Sequence, residues 1–260
     1  MKCPICNDNN SVEYLELLRC KKCNHIFTKN IYDEKYWNDL YENSYTKDER
    51  KLNHERNEMY KLEIQWIDKF KKIQGSFLDV GCSYGNFFQF LPNSVKKVGL
   101  DISSEVINEA KKINSNCEFF NIPVCEYKTT EKFDFIQFRG VIQHSTNPLD
   151  NLKCTVNLLK NDGVIIITSL PNFSSVASKF YKEQFRFYQP DICPNFFTDE
   201  SFNYLLKNVG LNIAYQNVPY FHTPYENFPK DLISFLTNKL QNKINPPFYG
   251  VVKNYILTKI

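Results

Sequence analysis

The 260-residue chain reads as an α/β protein: a doubly wound sheet of seven strands behind a small N-terminal cysteine module. Three observations predict this. Short apolar strands alternate with helices from Ser76 onward, the pattern of a parallel sheet covered on both faces. The first of these strands runs into a glycine-containing turn, and the second ends in an acid, Asp101. Ahead of them, two Cys-x2-Cys pairs place four of the nine cysteines in the first 23 residues.

The composition agrees. With 42% hydrophobic and 23% charged residues, the chain can bury one sizeable core and is not disordered as a whole. Only 8 glycines and 15% aromatics exclude collagen-like and Gly/Ser-rich classes. A net charge of +3 does not announce a nucleic-acid binder. The residues after Met1 are polar, unlike a signal peptide, and the longest apolar run, Val164 to Ile167, is strand length. The expectation is a cytoplasmic protein with no membrane partner, in a reducing compartment. There, clustered cysteines point to metal or catalysis before disulfides.

Residues 1–30 form the cysteine module, with Val12 to Leu18 as a candidate hairpin. Residues 31–75 read as a helical leader, without Pro or Gly until Gly75. Tyr60, Ile64, Ile67 and Ile73 form its apolar stripe, broadened by Trp66 and Phe70. Residues 76–260 form the main domain. Its strands are predicted at 77–80, 95–100, 117–120, 133–138 and 164–168, with helices at 87–91, 104–112 and 149–159. A helix over 198–208, capped by Thr198 or Asp199 and closed by Gly210, precedes two last strands at 211–219 and 255–260. Two stretches, 171–200 and 220–249, are rich in aromatics and read as insertions that shape a pocket.

Cys3-x2-Cys6 and Cys20-x2-Cys23 are separated by thirteen residues. Each pair can present two thiolates to one tetrahedral ion, and two pairs close a four-sulfur site. The spacing resembles a zinc ribbon with one structural Zn2+. Unrelated reduced thiols and an iron–sulfur centre are the alternatives. His25 reads as a surface histidine, since four thiolates already suffice. Cys117, Cys125 and Cys154 read as small buried hydrophobes.

The central motif runs Phe77-Leu78-Asp79-Val80-Gly81-Cys82-Ser83-Tyr84-Gly85-Asn86-Phe87. Gly81 and Gly85 permit close approach to the backbone, and Asp101, twenty residues after Gly81, can accept both hydroxyls of a ribose. Nicotinamide dinucleotides and S-adenosyl-L-methionine both satisfy that logic. A dinucleotide wants G-x-G-x-x-G beneath its pyrophosphate. Here the spacing is G-x-x-x-G, with Ser83 at the middle position. Asp79 would repel a pyrophosphate and suits a cationic methionine end.

These residues resemble the class I S-adenosylmethionine-dependent methyltransferases, whose fold is Rossmann-like. Leu78 to Gly85 matches the family's LDVGCGxG motif except at Ser83, and Asp101-Ile102 stands at its acidic second motif. Asn121 stands where an adenine-contacting Asp is common. Val141 to Pro148 resembles V-L-E-H-x-x-x-P with Gln143 for Glu, and Leu158 to Gly163 resembles L-L-K-P-G-G. The resemblance covers residues 76–170. It implies a cofactor site of Asp79, Gly81, Cys82, Ser83, Gly85, Asp101, Ile102, Asn121 and Gln137, with S-adenosyl-L-homocysteine as product.

With the cysteine module in front, the chain looks like bacterial methyltransferases that act on sugars, nucleotide-linked sugars or other small molecules of surface-polysaccharide and secondary-metabolite pathways. His144, after the fourth strand, is the candidate general base, with a helix-capping role as the alternative. Arg139 is a candidate for holding an acceptor phosphate or carboxylate, or else a salt-bridged arginine. His222 is a candidate acceptor contact, and Tyr36 and Tyr45 are candidates to fold over the methionine end. Phe173 to Phe197 reads as a lid or as a hydrophobic cover. Two further readings compete: an RNA base methyltransferase that grips RNA with the ribbon, and a non-catalytic nucleoside-binding module. The ribbon is close to neutral once four thiolates and a dication are counted, which argues against nucleic acid as the partner.

Overall fold

The computed structural model describes residues 1–29, 35–36, 39–40 and 54–260. The cysteine module is an antiparallel meander of β1 (Ser11–Tyr14), β2 (Leu17–Cys20) and β3 (Ile26–Thr28). Helix α1 (His54–Phe70) follows, with Tyr60, Glu63, Trp66 and Ile67 buried. The main sheet comprises β4 (Ser76–Val80), β5 (Lys96–Asp101), β6 (Glu118–Asn121), β7 (Phe133–Arg139), β8 (Leu159–Pro171), β10 (Leu211–Asn217) and β11 (Val252–Lys259). Its order is β10-β11-β8-β7-β4-β5-β6. β4 to β8 run parallel, and β11 is antiparallel to both neighbours. Between them lie α2 (Ser104–Ile113), α3 (Pro148–Leu158), α4 (Val176–Tyr181), α5 (Asp199–Asn208) and α6 (Phe228–Leu240). This is the predicted α/β class, with a seven-stranded sheet.

The strands alternate their apolar residues between two cores, so both faces are covered. Leu78, Ile136, Ile165 and Ile167 point into one core; Phe77, Phe135 and Ile166 point into the other, with Trp66 and Ile67 of α1. Cys3, Ile5, Cys20, Cys23 and Phe27 belong to the first of these cores, so the module packs on the sheet's own interior.

Helix ends follow the residue chemistry. Thr198 caps α5 by accepting from Ser201 N–H at 3.1 Å, while Ser201 Oγ accepts from Thr198 N–H at 2.9 Å. Asn147 caps α3, whose first residue is Pro148.

Several expectations are corrected. The helix expected at 87–91 is a 3-10 turn, Asn86–Phe90. β8 begins at Leu159 and takes in the polar Lys160-Asn161-Asp162 stretch; β11 begins at Val252. The stretch 220–249 contains a full helix, α6. A two-residue strand within 171–200, β9 (Asn195–Phe196), pairs with β3 and makes the module's sheet four-stranded. Cys125 and Cys154 are disulfide-bonded rather than packing singly; the β6–β7 connection lies against α3 and brings their Cα atoms to 5.2 Å. Cys117 is half-buried and unbonded. No described helix is long and apolar enough to cross a membrane.

Candidate functional site

The carboxyl ends of β4, β5 and β7 converge. Asp79 pairs in register with Gln137 on one side and Gly99 on the other, and Asp101 pairs with Asn121. After β4 the chain turns sharply: Gly81 N–H and Cys82 N–H both donate to the Leu100 carbonyl, at 2.7 and 3.0 Å. Gly81 and Gly85 sit at φ +75° and +68°, and a Cβ on either would lie 2.5 Å from Val141 or 2.6 Å from the Phe119 ring. Glycine is therefore required first by the turn and by internal packing. Ser83 holds φ +50°, a conformation that glycine adopts without strain. Asp101 secures this turn. One of its oxygens accepts from Ser83 N–H at 2.9 Å and the other from Ser103 N–H at 3.0 Å. Asn121 donates to the Asp101 carbonyl at 3.0 Å, and Ile102 exposes 41% of its surface beside it.

The floor of this cleft is polar and unsatisfied. Asp79 Oδ1, Ser83 Oγ, both amide atoms of Gln137 and Thr168 Oγ1 are buried without a hydrogen-bond partner among the described residues. Buried polar atoms are normally paired, so such a cluster marks where a polar ligand would complete the site. Burial pushes the Asp79 carboxyl up to about 8; Asp101 and Glu63 reinforce the rise, and Arg139 opposes it. Cys82 lines the loop as a buried thiol, with its pKa raised by burial.

Arg139, at the end of β7, faces α1. Its Nε and Nη2 donate to the two Glu63 oxygens at 2.9 and 3.2 Å, and its guanidinium lies 4.6 Å from the Tyr60 ring centre. It is thus a salt-bridged arginine, the alternative weighed above. Sequence reasoning missed Glu63. The signal was present: an acid at i+3 from Tyr60 and i−3 from Trp66 falls on the buried stripe, where a carboxylate needs a cation.

His144 ends a 3-10 turn, Ile142–His144, directly after β7. Its Nδ1 lies 2.7 Å from the Ile192 carbonyl, which fixes Nδ1 as the protonated, donating nitrogen. Burial lowers its pKa, so the ring stays neutral, with the basic lone pair on Nε2. Cys193 Sγ lies 3.5 Å from Nδ1.

Around the cysteine pairs, all four sulfurs lie within 4.8 Å of one another, with Cys3–Cys23 and Cys6–Cys20 each at 3.5 Å. A tetrahedral ion with sulfur bonds of about 2.3 Å needs sulfurs roughly 3.8 Å apart, so the donor set fits zinc. The two loops are conformational copies. Asn7 N–H donates to the Cys3 carbonyl at 2.9 Å and Asn24 N–H to the Cys20 carbonyl at 3.0 Å. Asn7 and Asn24 both have φ 58°. The repeated Asn after each pair is a sequence signal for this turn that the spacing alone did not use. His25 is not a surface residue: it is fully buried, with Nε2 3.0 Å from Asn195 Oδ1.

The remaining candidates lie apart. His222 is exposed in the turn before α6, and its N–H donates to Glu226 at 2.5 Å. Tyr36 donates to the Asp191 carbonyl at 3.3 Å, and Tyr45 falls outside the described residues. Of the aromatic stretch after β8, Tyr181, Phe185, Phe196 and Phe197 are buried, which makes it a packed cover.

A family profile described as a methyltransferase domain matches residues 52–216. Among solved structures, the plantazolicin methyltransferase BpumL, in complex with a triazolic desmethylPZN analog and SAH, is 22% identical. That match covers 82% of this chain and 87% of the other, with a TM-score of 0.56. Magnesium protoporphyrin IX methyltransferase (ChlM) from Synechocystis PCC 6803 with bound SAH is 13% identical, covering 88% and 100%, at 0.61. A S-adenosylmethionine-dependent methyltransferase from Clostridium acetobutylicum ATCC 824 is 15% identical, covering 82% and 94%, at 0.54. A match over more than half its length places the chain in the methyltransferase domain family, with the fold of S-adenosylmethionine-dependent methyltransferases.

Proposed function

We propose that the protein moves a methyl group from S-adenosyl-L-methionine to a hydroxyl of a small acceptor, a sugar or a nucleotide-linked or phosphorylated carbohydrate, with an amine or phosphate oxygen as the other acceptor atoms. The supporting observation for the cofactor is the unsatisfied polar floor at Asp79, Gln137 and Thr168 beside Asp101. When bound, the cofactor supplies a methyl on a sulfonium, open to in-line attack. Asp101 would accept the ribose hydroxyls, as its carboxylate is already oriented by two backbone amides. Asp79 would hold the methionine ammonium, and Gln137 would supply neutral donors and acceptors beside it. Gly81, Cys82, Ser83 and Gly85 would form the close backbone wall, and Ile102 and Asn121 would contact the adenine. His144, neutral and protonated on Nδ1, can take the acceptor's proton at Nε2. Cys3, Cys6, Cys20 and Cys23 would hold one structural zinc, which offers no open coordination position.

The plantazolicin and porphyrin neighbours carry acceptors of other kinds. The carbohydrate reading rests on the ribbon-plus-methyltransferase arrangement. The RNA reading has less support: the outer edge of β3 is taken by β9 and His25 is buried inward, so much of the ribbon faces its own domain.

Calorimetry with S-adenosylhomocysteine tests the cofactor assignment. Asp101→Ala should weaken binding by about 100-fold or more, the loss of charged hydrogen bonds to two hydroxyls. Unchanged affinity overturns it. Radiolabelled methyl transfer to a panel of nucleotide sugars tests the acceptor, with structured RNA as the competing arm. Steeply salt-dependent RNA binding with RNA labelling would replace the carbohydrate reading.

A further inference from the structure

Three parts of the chain meet at Asn195. Its backbone lies in β9, paired in register with Phe27 of β3, and Thr28 N–H donates to the Pro194 carbonyl at 3.1 Å. Its side-chain nitrogen donates to the carbonyls of Gln143 at 3.3 Å and Ser145 at 2.5 Å. Those carbonyls flank His144. The same segment touches the imidazole directly, through the Ile192 carbonyl at 2.7 Å and Cys193 Sγ at 3.5 Å.

The orientation of the amide is dictated by its surroundings. Two carbonyls demand its nitrogen, so its oxygen faces His25, and His25 must carry its proton on Nε2 to donate across 3.0 Å. The donor is itself enclosed. His25 stacks on Phe27 with ring centres 6.0 Å apart, tilts against Phe197 at 5.0 Å, and has Ser201 Oγ 3.5 Å from Nδ1. His25 and Asn195 are 0% and 2% exposed, so no water competes for these bonds. An unpaired amide here would be costly, which makes the arrangement specific as well as stable.

We infer that Asn195, oriented by His25, is the positioning residue for the turn that carries His144, and that the cysteine module serves as an internal brace for the acceptor side of the site. The consequence for catalysis rests on the role proposed above for His144. The brace itself is a statement about geometry and is testable without the acceptor.

The full-length protein, labelled with 15N-histidine, is observed by long-range proton–nitrogen correlation, with His144→Gln used to assign the His144 signals. His25→Phe keeps an aromatic ring and removes the donor; His25→Gln keeps a side-chain N–H; Asn195→Ala removes both functions of the amide. His25→Phe and Asn195→Ala are expected to shift the His144 nitrogens and to speed amide exchange at residues 142–145, by about tenfold for the one buried hydrogen bond lost in His25→Phe and by more for the three lost in Asn195→Ala. His25→Gln is expected to restore both readouts. S-adenosylhomocysteine affinity should stay within about twofold in every variant, because the cofactor loop is built on other strands. Unmoved His144 signals in His25→Phe and Asn195→Ala overturn the inference, as does His25→Gln behaving like His25→Phe. Should Asn195→Ala fail to fold, the two His25 variants decide. If the wild type itself does not bind S-adenosylhomocysteine, the proposed function fails, and the His144 signals still decide the brace separately.

Discussion

The two sides of β4 are built by different rules. On one side, β4, β5 and β6 with their loops supply most of the proposed cofactor cleft from residues 79–121, with turns held by bonds within that stretch, and β7 and β8 add Gln137 and Thr168. On the other, the His144 turn is held by Ile192 and Asn195, and Asn195 by His25, so contacts 170 residues apart fix one side chain. A binding surface common to a family can be encoded locally. A surface that must fit one acceptor is assembled from distant parts, which can vary while the first stays as it is.

The largest effect that separates the two sides comes from the metal ligands. Cys20→Ser should abolish zinc in native mass spectrometry and lower stability by several kcal/mol, while cofactor affinity holds within about threefold. Loss of both together would show that the two sides are one unit. The converse variant is Gly85→Ala. It forces a Cβ to 2.6 Å from the Phe119 ring at a positive φ. A cost of about 2–3 kcal/mol is expected in chemical denaturation, with weakened S-adenosylhomocysteine binding and zinc content unchanged.

A further effect is in pH. The Asp79 carboxyl, raised from 3.8 to about 8, binds a proton in the folded state that the unfolded chain has released. Its contribution to stability is therefore full below about 4 and is lost as pH rises through about 8. Glu63, Asp101 and Arg139 face it, and the first two favour the neutral form. A ligand ammonium would favour the charged form. Binding of S-adenosylhomocysteine near neutral pH should release a proton, and affinity should rise by less than about tenfold per pH unit toward 8. Calorimetry in buffers of different ionisation enthalpy measures this, and Asp79→Asn should remove it.

What the sequence disclosed follows the same division. The Gly81–Gly85 loop, Asp101, the Thr198 cap and the two cysteine pairs are legible because the responsible chemistry lies within a few residues. The buried position of Glu63 was legible, but its partner Arg139, Cys125 on Cys154 and His25 on Asn195 were not, because each pairing is created only by the folded topology. β9 is two residues long and carries no periodicity to detect, yet it ties the segment after β8 to the module's sheet.

The pairing of Glu63 with Arg139 redraws the boundary suggested at residues 75 and 76. A chain shortened to begin at Ser76 would keep every strand of the main sheet and every residue proposed to hold the cofactor. It would also strip Phe77, Phe87 and Ile166 of the α1 face that covers them and leave the Arg139 guanidinium without its counter-ion beside Asp79. The lone cation would then be left beside the buried acid and draw it toward a pair of its own, which would oppose the proposed role of Asp79 toward an ammonium. Glu63 of helix α1 thus gives the Arg139 guanidinium a partner other than Asp79, and the family match that begins at residue 52 takes in this helix whole.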